Sequence, residues 1–306
     1  MKKGAFTTLM LACMILIINL FCMALPINRA SASMPFYGLK PKDLTLRASF
    51  YTTYSNSTLE RKHNIALAVK SINNTFVDVN GEFSFNKTVG ERSERRGYKT
   101  AKIIVGGKFV DGVGGGVCQV STTLYNAVLL SGLKVVEYHP HSLPVSYVAP
   151  SFDAMVNSSW ADLKFLNNTK NPLIIKAFAD GERVKIEIHG EKMLESYYRE
   201  SKITEIITAP DYTIIKDDKL EYPDLFEGEQ KILTYKKDGY KSSGALIKKV
   251  NGKTVSVQQL RKDVYRHVQG VIVEGVSKRQ EIDEINKITL NSKKVKKYFD
   301  KILKVC

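Results

Sequence analysis

Short runs of alternating apolar and polar residues, each ended by a turn signal, dominate the sequence after Gly132. LKVVEYH and LPVSYV are two such runs, and DLKFLNNTKNPLIIKAFADGERVKIEIHG contains three more, with turns at Asn167-Asn168 and Asp180-Gly181. Alternation of this kind is typical of half-buried strands, and close turn signals join neighbouring strands as hairpins. The pattern therefore predicts an antiparallel sheet.

Two helices are predicted upstream of these strands. Residues 61–72 carry apolar side chains at helical spacing, and so do residues 118–131, after which Gly132 ends the helix. Between the helices, AKIIVGGKFVDG indicates two strands joined at Gly106-Gly107. Helices early in the chain and strands late in it favour an α+β domain with an antiparallel sheet and short helices.

A second, smaller unit follows this domain. We assign residues 33–192 to the first domain, 193–206 to a linker and 207–280 to a β-rich module, in which Asn251-Gly252 marks a hairpin. Residues 281–306 form a basic tail that is predicted to be helical. Such a tail is either a terminal helix with a solvated face or an amphipathic helix on an anionic surface.

The first segment of the chain is typical of a secretory signal peptide. Lys2 and Lys3 precede an apolar run, and Ala30-Ser31-Ala32 offers a cleavage site, so we assign residues 1–32 to the signal. The alternative is an uncleaved N-terminal membrane anchor, because the run is about long enough to cross a bilayer. Either interpretation predicts a protein that is secreted or associated with the cell envelope.

The charge of the exported chain is strongly positive. Loss of Lys2, Lys3 and Arg29 with the signal lowers the formal charge from +15 to +12. A protein this basic is attracted to anionic surfaces such as wall polymers or lipid head groups. We predict no nucleic-acid partner, because no nucleic-acid-binding motif is present.

Cysteines are scarce in the exported chain. Cys13 and Cys22 lie in the signal, which leaves Cys118 and the last residue, Cys306. This number excludes a disulfide-framed scaffold, although a Cys118–Cys306 bridge stays open.

Cys118 stands where a thiol could react. It follows Gly114, Gly115 and Gly116 at the start of a predicted helix, whose dipole would lower the thiol pKa. The three glycines could hold an oxyanion with their N–H groups. His141, or alternatively His139, could act as the base, and an orienting carboxylate could come from Asp153 or Asp162.

Two other roles for Cys118 stay open at this stage. Cysteine, histidine and aspartate side chains can together bind zinc, but no paired-cysteine spacing supports this, and we predict no metal and no cofactor. A cysteine on an apolar helix is also commonly just a core residue, and the histidines would then be structural.

The residues around Cys118 carry a family resemblance. From about RKHNIALAV to residue 190 the chain resembles the VanW family, most specifically at GGGVCQVSTTLYNA, HS and SYV. The positions that match the distinctive motif, in addition to Cys118 and His141, are the predicted binding residues Gly114, Gly115, Gly116, Gln119, Ser121, Thr122 and Ser142. The resemblance leaves the biochemical activity undecided.

The second unit is similar to the G-five module. LFEGEQKILTYKKDGYKSSGALIKKVNGKTVSVQQL carries much of this resemblance. It implies a surface protein whose partner is peptidoglycan or another polymer that contains N-acetylglucosamine. The resulting hypotheses are a non-catalytic, wall-associated binding protein and a cysteine-dependent amidase or transpeptidase that acts on wall peptides.

Overall fold

A four-stranded antiparallel sheet forms the centre of the N-terminal domain, in the spatial order β1-β9-β8-β2. Along the chain, the elements of this domain are β1 (Thr45–Thr53), α1 (Leu59–Ile72), β2 (Thr75–Val77), β3 (Glu82–Ser84), α2 (Phe85–Val89), a 3-10 turn (Glu94–Arg96), β4 (Thr100–Val105), β5 (Lys108–Val113), α3 (Val117–Leu130), β6 (Lys134–Glu137), β7 (Lys164–Leu166), β8 (Leu173–Ala179) and β9 (Arg183–Gly190). Val184, Ile186 and Ile188 are fully buried at every second position of β9. One face of the sheet therefore belongs to the core.

Helices α1 and α3 pack against this sheet. The side chain of Thr58 caps α1 by accepting a hydrogen bond from the N–H of Arg61 at 3.3 Å. In α3, Val120, Leu124 and Val128 are fully buried, and the helix ends before Gly132, whose φ is 67°. Both helices were predicted from their apolar spacing, and the structure confirms them.

The computed structural model describes residues 44–278 and 287–297, which belong to a single compact unit. The predicted signal peptide, the alternative membrane anchor and Cys306 lie outside these residues. Of the tail, residues 287–297 are helical and exposed, as predicted, and the rest lies outside the described residues. None of the helices in the described ranges has the length and hydrophobicity needed to span a bilayer.

Two smaller sheets complete the N-terminal domain. Strands β3, β7 and β6 form one of them, in the order β3-β7-β6. Strands β4 and β5 form the predicted hairpin, in which Gly106 and Gly107 have φ values of 60° and 80°. A hairpin turn of this kind needs positive φ at both central residues, which glycine adopts without strain.

The three glycines before α3 fill a space too small for side chains. A Cβ on Gly115 would lie 2.7 Å from the main-chain oxygen of Lys102, and a Cβ on Gly116 would lie 2.9 Å from Cγ of Arg61. Gly116 also has a φ of 107°. The buried side chain of Asn64 fastens this turn to α1 and to the hairpin, because it donates to the carbonyls of Gly115 and Lys99 and accepts from the N–H of Lys99.

The C-terminal module contains two sheets. Its strands are β10 (Glu195–Ile207), β11 (Thr213–Lys216), β12 (Gln230–Thr234), β13 (Gly239–Val250), β14 (Lys253–Tyr265) and β15 (Val271–Glu274). One sheet is antiparallel, in the order β10-β13-β14, and the other, β11-β15-β12, includes a parallel pair. Asn251 and Gly252 turn β13 into β14 with positive φ at both residues, as predicted.

Two of the secondary-structure predictions were wrong, one at the start of the C-terminal module and one in the N-terminal domain. The segment predicted as a linker forms β10, which pairs with β13 from Glu195 to Ile207 because its residues alternate between partly buried and exposed positions. The predicted strand LPVSYV is not a strand. Prolines at positions 140, 144 and 150 in and around it remove the N–H groups that a ladder needs.

The core of the N-terminal domain continues into the C-terminal module. Leu246 of β13 belongs to the same apolar cluster as the helices, and Tyr197 and Leu260 pack against that cluster. The guanidinium group of Arg199 lies 4.2 Å from the ring centre of Phe50 and 4.9 Å from that of Phe152. The two parts of the chain therefore share buried contacts.

The role of Asn64 predicts a stability effect. We expect Asn64→Ala to lower the free energy of unfolding by about 2–4 kcal/mol, because three hydrogen bonds are lost and buried main-chain groups are left unpaired. Urea denaturation would measure it. Lys70→Ala, at an exposed position of the same helix, is the control and should change stability by less than about 0.5 kcal/mol. An equal effect of both substitutions would contradict the role of Asn64.

Candidate active site

Cys118 lies in the first turn of α3, directly after the glycine turn. Its thiol is free, partly buried, and donates to the main-chain oxygen of Val156 at 3.3 Å. At this position the thiol is near the positive end of the helix dipole. The structure thus places Cys118 at a helix start, as predicted, and its reactivity stays a prediction.

His141 and Asp153 form a buried pair next to this thiol. Nδ1 of His141 lies 2.7 Å from Oδ2 of Asp153, and the main-chain N–H of His141 donates to the same oxygen at 2.6 Å. The two groups also shift each other's pKa: His141 lowers that of the Cys118 thiol, and Cys118 raises that of His141. When Nδ1 carries the proton that Asp153 accepts, Nε2 is the ring nitrogen left to face the sulfur.

Polar side chains of α3 place Asp153 relative to Cys118. The hydroxyl of Ser121 donates to the carbonyl of Ala154 at 2.6 Å, and the N–H of Ala154 donates to the hydroxyl of Thr122 at 2.9 Å. One turn further along, the amide of Asn126 donates to the carbonyl of Phe152 at 2.8 Å. The segment that carries Asp153 is therefore held along the helix that carries Cys118.

The second oxygen of Asp153 binds residues of the C-terminal module. Nη2 of Arg261 donates to Oδ1 at 2.7 Å, and the hydroxyl of Tyr265 donates to the same atom. Both residues belong to β14. Sequence reasoning confined the site to the first domain and missed them.

The pKa values of the three groups shift in directions that favour an ion pair. Burial raises the pKa of the Cys118 thiol. The hydrogen-bonding and charge effects of His141 lower it by more, so the net shift of this pKa is downward. Burial lowers the pKa of His141, and the bonds to Asp153 and Cys118 raise it to about 9. Burial raises the pKa of Asp153, but His141 and Arg261 lower it more. A thiolate and an imidazolium can therefore coexist near neutral pH.

Two family models match consecutive parts of the chain. Residues 60–189 match the family model described as VanW like protein, and residues 200–277 match that of the G5 domain. The chain therefore contains a VanW-like domain followed by a G5 module. The α+β prediction, with antiparallel sheets, short helices and a β-rich second module, is confirmed as well.

Individual relatives match parts of the chain. It is 43% identical over 150 residues to the Bacillus subtilis protein named uncharacterized protein YoaR. The matched region covers 49% of this chain and 50% of that relative. It is 27% identical over 141 residues to the vancomycin B-type resistance protein VanW of Enterococcus faecalis, which covers 44% of this chain and 51% of that relative. The chain thus spans about half the length of these relatives.

The G5 module also matches solved structures. The IgA1 protease G5 domain structure is 24% identical, covers 28% of this chain and 92% of its own, and superposes with a TM-score of 0.19. VanW-like and G5 proteins are typically extracellular or associated with the cell wall, and G5 domains are known to bind glycans.

His139, the alternative base, faces a different set of groups in the VanW-like domain. Its Nε2 lies 3.0 Å from Oε1 of Glu137, and its ring meets the ring of Trp160 edge-on at 5.1 Å. Pro140 interrupts regular strand geometry between the two histidines, so they do not share a face. The structure therefore brings His141 and not His139 to Cys118.

Asp162, the alternative orienting carboxylate, caps helix α2. It accepts hydrogen bonds from the hydroxyl of Ser84 at 2.6 Å and from the N–H of Asn86 at 2.8 Å. Its two oxygens are engaged at the start of that helix, which leaves Asp153 as the partner of His141.

Several predicted binding residues are occupied by internal contacts. The buried amide of Gln119 bonds to Thr52, to Thr53 and to Arg61, and the Ser121 and Thr122 hydroxyls hold the Asp153 segment. The N–H of Gly114 donates to the carbonyl of Lys99 at 3.1 Å, so it is not available to an oxyanion. The carbonyl of Ser142 accepts from the N–H of Arg266 in the G5 module.

Three more residues near the thiol were not predicted. Arg61, Arg92 and Tyr147 each interact electrostatically with Cys118. Tyr147 belongs to the SYV segment, which marked the family but not a role, and no role was predicted for either arginine. No cluster of three or more metal-binding side chains occurs in the described part of the chain.

The downward shift of the thiol pKa predicts early alkylation. We expect the rate of Cys118 carboxamidomethylation by iodoacetamide to rise with a midpoint below the value of about 8.5 of an ordinary thiol. In His141→Gln only burial and weaker contacts remain, so the midpoint should move above that value. Mass spectrometry of the Cys118 peptide measures the rate, and His139→Gln should keep the wild-type midpoint. Equal midpoints in wild type and His141→Gln would refute the pairing.

Proposed function

We propose that the protein is a cysteine-dependent amidase or transpeptidase of the cell envelope that acts on wall peptides. The observation that carries this proposal is the buried His141–Asp153 pair, whose imidazole lowers the pKa of the Cys118 thiol at the start of α3. A nucleophile, a base and an orienting group in this order are the arrangement that thiol acyl transfer needs.

The proposed reaction has two steps. The Cys118 thiolate attacks the carbonyl carbon of an amide, and N–H groups of Gly116 and Cys118 at the start of α3 stabilise the oxyanion. The C–N bond then breaks, and the amine leaves with the proton that His141 donates. Water or an acceptor amine next attacks the thioester while His141 takes its proton, the C–S bond breaks, and Cys118 leaves as the thiolate, which restores the starting ion pair.

A purely structural role explains the site less well. A packed cysteine needs no charged neighbour, whereas burying the His141 and Asp153 groups has a desolvation cost that apolar residues of similar size would avoid. Side chains of His141 and Asp153 are only 5% and 1% exposed. Perturbed, mutually bonded groups beside a partly exposed thiol are more typical of a functional site.

Two arginines beside the thiol support an anionic substrate. Arg61 and Arg92 are partly buried, and neither has a carboxylate within ion-pair distance among residues 44–278 and 287–297. Their stems lie against the glycine turn, with Arg92 next to Gly114 and Arg61 next to Gly116. Burial lowers the pKa of both guanidinium groups, a cost that an anionic ligand would offset. A free peptide carboxylate fits this requirement.

Wall association without catalysis is the second candidate function. It is supported by the G5 module, whose relatives bind glycans, and by the positive charge of the chain. Peptidoglycan or another N-acetylglucosamine polymer would be the partner, and the anionic wall surface would add attraction. The two candidates are compatible, because the module could deliver the thiol site to its substrate.

Substitution of the thiol separates the two candidates. We expect Cys118→Ser to abolish release of amines from purified muropeptides, because the serine hydroxyl is a much weaker nucleophile here. Pull-down by insoluble peptidoglycan should be unchanged. His139→Gln, outside the contacts of the triad, should retain full turnover. Wild-type binding with no turnover would favour the non-catalytic candidate.

Substitution of Arg92 tests the substrate class. We expect Arg92→Gln to lower kcat/KM about tenfold for peptides with a free carboxylate near the scissile bond, the scale of one charge-assisted hydrogen bond. Matched peptides with a carboxamide there should be affected much less, so the preference ratio is the measurement. Arg95→Gln, an exposed arginine that pairs with Glu91, is the control. An unchanged ratio in Arg92→Gln would argue against an anionic substrate.

A further inference from the structure

We infer that Arg261 and Tyr265 of the G5 module are positioning residues for the triad of the VanW-like domain, so that the two domains build one site. This inference rests on the proposed cysteine chemistry. It assigns to the module a task in addition to any binding of wall glycan.

Arg261 donates hydrogen bonds to both the side chain and the main chain of Asp153. Its Nη2 donates to the carboxylate and its Nη1 to the main-chain oxygen of the same residue, both at 2.7 Å. Its Nε bonds to Asp263 at 2.6 Å, which holds the guanidinium plane from the other side. The ring of Tyr138 lies below it, 5.0 Å from ring centre to Cζ. With its side chain only 3% exposed, Arg261 has little freedom to move.

Tyr265 holds the carboxylate through one oriented hydroxyl. That hydroxyl accepts from the N–H of Ser151 at 2.9 Å and donates to Oδ1 of Asp153. The accepted bond leaves its single proton for the carboxylate. The ring is buried, with 1% of its surface exposed, and contacts the ring of Tyr240.

Strand geometry brings these groups to Asp153 together. Residues 261, 263 and 265 are buried and residues 262 and 264 are exposed, because alternate side chains of a strand point to opposite faces. Contacts beside the site hold β13 and β14 in place: the Ser242 and Ser151 hydroxyls lie 2.8 Å apart, and the N–H of Arg266 donates to the carbonyl of Ser142 at 2.8 Å. A Cβ on Gly244 would lie 2.9 Å from the oxygen of Ser151.

Arg261 supplies a counter-charge that persists through the reaction. While His141 is protonated, Asp153 has a cationic partner on each side. When His141 gives its proton to the leaving group, the buried carboxylate would lose one of them, and an unpaired buried charge is costly. Arg261 stays charged, so Asp153 can remain ionised in every step and keep the imidazole oriented.

The test compares variants of the full-length chain. The variants are Arg261→Gln, Tyr265→Phe and, as a control, Lys262→Gln, at an exposed position of the same strand. The rate of Cys118 alkylation by iodoacetamide is measured from about pH 5 to about pH 10, together with muropeptide turnover and thermal unfolding. Tyr265→Phe keeps the buried ring, so it tests the inference even if Arg261→Gln fails to fold.

Loss of either donor makes Asp153 easier to protonate and weakens its hold on the imidazolium. We expect the acid limb of the alkylation profile to move to higher pH by about half a unit in both variants, about a threefold loss of rate at fixed pH. Lys262→Gln should follow the wild type. A stable Tyr265→Phe protein with an unshifted profile overturns the inference, as does a wild-type thiol that titrates like an ordinary cysteine.

The two proposals fail in different ways. If the profiles shift as expected but the wild type turns over no muropeptide, the positioning role stands and the proposed substrate is wrong. If turnover is normal in the wild type and in Tyr265→Phe, and the profile does not move, the cysteine chemistry stands and the role of the G5 module is refuted.

Discussion

Four donors converge on the buried carboxylate of Asp153. Two come from His141, one from Arg261 and one from Tyr265. A carboxylate that is 1% exposed can stay charged only with such a shell, since burial alone would raise its pKa. The orientation of His141 and part of the contact between the G5 module and the VanW-like domain depend on this one group.

The glycine and polar residues of the family motif act on geometry. Gly115 and Gly116 allow main chain and Arg61 to approach the start of α3, and Asn64 locks the turn. Ser121 and Thr122 then fasten the Asp153 segment to the helix. Because these side chains bond inward, they fix where Asp153 lies relative to Cys118.

The contact between the two domains includes residues of the proposed site. Strand β10 begins only a few residues after β9 and belongs to the G5 sheet, while Arg199 on it lies between the rings of Phe50 and Phe152. A module joined by a flexible linker could not hold Arg261 at hydrogen-bond distance from Asp153, because that distance needs a fixed strand register. Arg261 of the G5 module therefore reaches Asp153, a residue of the proposed triad, across the contact between the two domains.

The sequence by itself determined the local structure and the three central side chains. Periodicity predicted α1, α3 and the hairpins, and the chemistry of a thiol at a helix start singled out Cys118 with His141 and Asp153 as candidates. These signals are local, since propensity, turn chemistry and helix dipoles act over a few residues.

Only the tertiary structure decided between His141 and His139 and between Asp153 and Asp162, and only it brought Arg261 and Tyr265 to the site. Arg261 lies 108 positions after Asp153 in the chain, so no local sequence pattern predicts their contact. Packing of β14 against the VanW-like core, a long-range event, creates that contact.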